Sequence, residues 1–104
     1  MTDGGSGGVG NNNGEATQFN LYQNYPNPFN PVTSIEYYLP RQTMVTLKVY
    51  DLLGREVASL VNNEMRQQGL QSITFDGKDL SSGIYYYKIS AGDFSDIKRM
   101  MLIK

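Results

Sequence analysis

Three consecutive tyrosines, Tyr85, Tyr86 and Tyr87, are the most conspicuous cluster of chemically capable side chains in this 104-residue sequence. On a strand, Tyr85 and Tyr87 face one way with Ile89, and Tyr86 faces the other with Ile84 and Lys88. One of these faces belongs in a core. Tyr86, with Tyr38 and Tyr50, then offers exposed rings on which a sugar could stack, against the plainer reading of packed surface rings. Asp76, Asp79, Asp93 and Asp96 lie in or near turns and carry the oxygen ligands that calcium takes, but DGKDLSSG lacks the EF-hand spacing, so no metal site is assigned. Glu36, Glu56 and Glu64 are the candidates for a glycosidase-type acid and base, yet nothing in their spacing brings two of them together. Lys98, Arg99 and Lys104 flank an apolar run. They read equally as gatekeepers against edge aggregation and as a recognition patch on a terminal strand.

Absences bound the chemistry further. The sequence has no histidine and no cysteine. That removes disulfides, thiolate and imidazole metal centres, and the Ser-His and Cys-His catalytic arrangements. Neither an enzymatic activity nor a cofactor is expected. A net charge of −1 supplies no basic field for nucleic acid, and no nucleic-acid partner is expected. No apolar run approaches the roughly 18 to 20 residues of a membrane span, so membrane insertion is not expected either. The first residues, MTDGGSGG, have neither the charged nor the apolar region of a signal peptide.

The elements that must position these side chains are short strands. Residues 1–17 hold six of the eleven glycines and the run Asn11, Asn12, Asn13; such a segment cannot bury enough apolar surface to offset its ordering entropy. It is expected to be a flexible linker or a tag remnant, with the folded domain over 18–104. Phe19, Leu21 and Tyr22 predict a short first strand. Pro26, Pro28 and Pro31 follow in YPNPFNP, and prolines have no N–H to donate and hold their predecessors extended. This predicts a rigid crossing pinned by Tyr25 and Phe29, with Asn24, Asn27 and Asn30 closing local turns. Period-two alternation then marks strands at Ile35, Tyr37, Leu39 and at Val45, Leu47, Val49. Asp51-Leu52-Leu53-Gly54 is a turn, and the three-residue spacing of Val57 and Leu60 predicts a bulge in the next strand. The polar stretch Asn62 to Gly69 reads as a loop with room for one helical turn. Ile73 and Phe75 form a further strand, and Gly83 to Ala91 with Ser95 to Ile103 form a terminal hairpin. Seven short strands without a convincing helix predict an all-β, antiparallel, immunoglobulin-like sandwich, with Tyr37, Phe75, Tyr85 and Tyr87 in its core.

Four ordered motifs, PNPFNP at 26–31, VYDLLGREV at 49–57, SSGIYYYK at 81–88 and the lysine-bracketed end at 98–104, resemble the type A C-terminal sorting domains of the type IX secretion system. The resemblance implies an immunoglobulin-like domain that addresses an attached cargo. Its implied partners are the translocon or shuttle, a sortase-like protease and a cargo N-terminal to the linker. The implied route passes through the periplasm to the outer-membrane surface or the medium. By motif match it places the recognition residues at Pro26, Asn27, Pro28, Gly83, Tyr85, Lys98 and Lys104. The alternative from the residues themselves is a carbohydrate-binding or adhesion module using Tyr38, Tyr50 and Tyr86.

Overall fold

The computed structural model describes residues 18–104, so the linker expected over 1–17 lies outside the described residues. The described residues form seven strands: β1 (Asn20–Leu21), β2 (Val32–Leu39), β3 (Thr43–Tyr50), β4 (Glu56–Arg66), β5 (Gly69–Asp76), β6 (Gly83–Ala91) and β7 (Phe94–Leu102). They make two antiparallel sheets, ordered β1-β2-β5 and β4-β3-β6-β7. The alternation read in the sequence sets which side is buried. Ile35, Tyr37 and Leu39 face in from β2, and Val45, Leu47 and Val49 face in from β3 to meet Tyr85, Tyr87 and Ile89 of β6. All four aromatic rings expected in the core are buried. At about 25 cal/mol per Å² of apolar area, each such ring contributes several kcal/mol before its ordering entropy is subtracted.

One difference from the sequence reading has a local cause. Asn62 to Gly69 is strand for most of its length, not loop: β4 continues to Arg66, with Thr43↔Arg66, Met44↔Met65 and Val45↔Glu64 in register. Its polar side chains are those of an exposed edge strand, whose backbone is held by β3 while its side chains meet water. Asn63, at φ 53°, absorbs part of the irregular register. The bulge expected near Val57 and Leu60 is present. Pairing passes from Leu47↔Val61 to Lys48↔Ser59 and from Val49↔Ala58 to Tyr50↔Glu56, so that Leu60 and Val57 are the extra residues. The turn before β4 is closed by Asp51, whose carboxylate accepts from Leu53 N (2.9 Å), Arg55 N (3.0 Å) and Arg55 Nε (2.7 Å). Those bonds, the Arg55 backbone N–H first, hold the Asp51 carboxyl below its ordinary range.

Candidate functional site

The proline-rich segment between β1 and β2 leaves few backbone donors to satisfy, and its carbonyls are taken up by specific partners. Asn24 is buried; its Nδ2 donates to Pro26 O (3.1 Å) and to Thr33 Oγ1 (3.0 Å), and Thr33 Oγ1 donates to Pro26 O (2.8 Å). The Asn24 N–H donates to the Tyr87 hydroxyl at 2.7 Å, which in turn donates to Tyr22 O at 2.6 Å. Burial pushes the Tyr87 hydroxyl up to about 12, opposed by the Asn24 N–H and reinforced by Asp96. The proton that holds Tyr22 therefore stays in place at any physiological pH. Tyr25 is fixed through its backbone, exchanging hydrogen bonds with Ser34 at 3.0 Å each way. Its ring, expected as an anchor, is 81 % exposed.

Beyond Asn24 the segment lies against the outer edge of β7. Phe29 N donates to Met101 O and Ile103 N donates to Phe29 O, both at 2.9 Å, forming a parallel bridge between Phe29 and Leu102. Asn27, expected to close a local turn, instead accepts the Met101 N–H on Oδ1 at 3.0 Å. Gln23 Nε2 donates to Arg99 O at 2.7 Å. The Phe29 ring is buried, edge-on to Phe75 with centroids 6.0 Å apart. Gly77 makes room for it: a Cβ there would stand 3.1 Å from Leu102 Cδ2 and 3.4 Å from Phe29 Cε2. At the same end of the sandwich Lys104 donates from its backbone N to Ser82 Oγ (3.0 Å) and from Nζ to Lys78 O, and the Tyr85 hydroxyl donates to Ser81 O at 2.6 Å. Two motif groups more than fifty residues apart in sequence thus meet in one folded end.

The model of one family, described as the secretion system C-terminal sorting domain, matches residues 23–104. The chain belongs to that family. It is a C-terminal sorting signal of the type IX secretion system, which implies export to the cell surface or beyond, and the sorting domain is not itself catalytic. Among solved structures, the crystal structure of dimeric latent PorU from Porphyromonas gingivalis is similar to it at 19 % identity and a TM-score of 0.64. That match covers 82 % of this chain and 9 % of the other, and supports the fold. No curated protein matches.

The sorting domain distributes the residues singled out in the sequence unevenly. Pro26, Asn27, Pro28, Gly83 and Lys104 gather at the folded end, where the three entry-motif residues and Lys104 are exposed. Tyr85 is there as well, but 7 % exposed, so its ring is core and its hydroxyl tethers the loop before β6. Lys98 stands opposite Tyr87, roughly 20 Å along the strand from Lys104 at about 3.3 Å per residue. Tyr50 and Tyr86 are register partners on the outer face of the four-stranded sheet, whereas Tyr38 lies on the outer face of the other sheet. The three tyrosines do not make one platform. Glu36 and Glu56 are likewise on different sheets, Glu56 paired with Lys48 at 3.1 Å and Glu64 with Arg66 at 2.8 Å. Asp76 and Asp96 bond the backbone of Lys78 and Ile97, and no group of three or more potential ligands converges among the described residues. Sequence reading missed Gln23, Thr33 and Gly77, whose partners lie on other elements and leave no local signal.

Proposed function

We propose that the export machinery reads this domain at the composite end built from the proline-rich segment and β7, and that the reader is a protein. On this reading a type IX translocon or shuttle component binds the domain in transit through the periplasm. A sortase-like protease then separates it from a cargo N-terminal to it, within the glycine- and asparagine-rich residues 1–17. The single observation that supports a composite signal is the main-chain pairing of Phe29 with Met101 and Ile103, completed by Asn27. It makes PNPFNP and the lysine-bracketed strand one surface instead of two tags.

Strand edges are recognised by main-chain pairing, with neighbouring side chains giving specificity. Arg99 and Met101 of β7, with Ile103 just after it, turn backbone groups outward, toward Gln23 and Phe29. By the same two-residue period Ser95 and Ile97 turn outward beyond the reach of the segment, and the Ile97 N–H is satisfied locally by Asp96 Oδ1 at 2.8 Å. Among the described residues no strand pairs with that half of the edge, and on this reading a partner strand adds there, with Lys98 and Arg99 beside it.

The test uses the full chain fused behind a fluorescent protein carrying an inner-membrane signal peptide, with Asn27→Ala and Lys104→Ala variants. Lys104→Ala is expected to stay within about 0.5 kcal/mol of the parent in stability, as surface substitutions do, and Asn27→Ala to lose about 0.5–1.5 kcal/mol for one hydrogen bond. Both are expected to export poorly although folded. Parental export by both folded variants would overturn the composite signal.

A further inference from the structure

The outward faces of the two sheets differ in charge. On the three-stranded sheet the outward positions of β2 and β5 include Glu36 and Asp76 and no lysine or arginine. On the four-stranded sheet Lys48, Lys88 and Arg99 look outward. Lys48 is paired with Glu56 at 3.1 Å; Lys88 and Arg99 have no ion pair among the described residues. Thr46, Ser90 and Ser95 line the surface on one side of Lys88, and on the other side it is mainly apolar. A shallow cleft of about 380 Å³ is lined by Tyr50, Tyr86, Leu52, Ile97 and Lys88, among others. Leu52 is 65 % and Ile97 55 % exposed. Exposed aliphatics gathered around two adjacent aromatic rings mark an interaction surface more often than isolated ones do.

We infer that the outer face of the four-stranded sheet, centred on Tyr50, Tyr86, Lys88 and Ile97, docks a protein segment that presents carboxylates beside apolar side chains. This goes beyond the composite end and does not depend on it. Charge complementarity selects the acidic partner, and the aliphatic lining selects a protein over a sugar. A sugar site needs acceptors for hydroxyl groups, and the carboxylate in the cleft lining, Asp51, already accepts three hydrogen bonds from its own turn. Tyr86 and Ile97 then supply apolar contact area, and Lys88 and Arg99 fix the register of the partner's carboxylates.

The probes are a synthetic peptide of alternating glutamate and leucine, its glutamine-for-glutamate counterpart, and dextran sulfate, each titrated into the isotope-labelled full chain and followed by amide chemical shifts. The acidic peptide is expected to move the signals of Tyr50, Tyr86, Lys88 and Ile97. The neutral peptide, and the acidic peptide on Lys88→Glu, are expected to bind about tenfold more weakly, with the difference shrinking as salt rises. Tyr86→Ser should weaken both peptides, and Glu36→Lys on the opposite sheet should change nothing, with melting curves confirming that each variant is folded. Equal affinity for the two peptides, shifts confined to other surfaces, or no binding would overturn the inference. Tighter binding of dextran sulfate at the same residues would overturn it in favour of a polysaccharide. Concentration-dependent shifts of these residues without any peptide would overturn it in favour of a second copy.

Discussion

The Tyr87 hydroxyl joins the two halves of the chain. It accepts from Asn24 N and donates to Tyr22 O across sequence separations of 63 and 65 residues. The sequence identifies the ring as core through its alternation with Tyr85 and Ile89, but not the hydroxyl's task, because nothing near Tyr87 in sequence announces partners so distant. Tyr87→Phe keeps the ring and leaves a buried N–H unpaired, so urea unfolding should show a loss of about 1–3 kcal/mol. The hydroxyl also sets an alkaline limit. Its pKa is pushed up to about 12 by burial, against 10.0 for an ordinary tyrosine, so the folded state holds a proton that the unfolded chain has released. The associated stability is fully present below pH 10 and is lost as pH rises through 12. Tyr37, also raised by burial, acts in the same direction. Melting temperature should therefore fall from pH 10 upward, and less steeply in Tyr87→Phe; equal slopes would contradict the assignment.

Among the elements, the β6–β7 hairpin supplies six of the buried core side chains, Tyr85, Tyr87, Ile89, Ala91, Met100 and Leu102. Its bounds were legible because alternation and the turn residues agree. The β4 strand was legible only in its first half, since from Asn62 onward its sequence follows exposure to water while its backbone follows β3. Within the hairpin, Gly83 has φ +152° with open space where a Cβ would stand. Gly83→Ala should therefore cost roughly 1–3 kcal/mol through backbone strain alone, read as a lowered melting temperature with an unchanged m-value. Leu102 is 1 % exposed beside Phe29 and Gly77. Leu102→Ala removes a buried side chain where the proline-rich segment meets β7, and a loss of about 2–5 kcal/mol is expected in denaturant titration. A loss below 1 kcal/mol would mean that this junction contributes little to the fold.

At the scale of the molecule, sandwich architecture and sorting character were both legible, the first from seven alternating runs and the second from the order of four motifs. The joining of the entry segment to β7 was not, because a proline-rich stretch reads as a crossing and gives no sign of which edge it will cover. The same holds for the charge difference between the outward faces, which emerges only once the register assigns Lys48, Lys88 and Arg99 to one sheet and Glu36 and Asp76 to the other. Covering half of the β7 edge shields backbone groups that would otherwise be open to edge-to-edge aggregation. Export of an attached cargo is the deciding measurement for a sorting domain. The full chain, fused behind a fluorescent protein with an inner-membrane signal peptide, would be expressed in a type IX-competent bacterium and in a translocon-deficient mutant. Fluorescence is expected at the surface or in the medium of the competent strain alone. Periplasmic retention of a folded, intact fusion in both strains would contradict it.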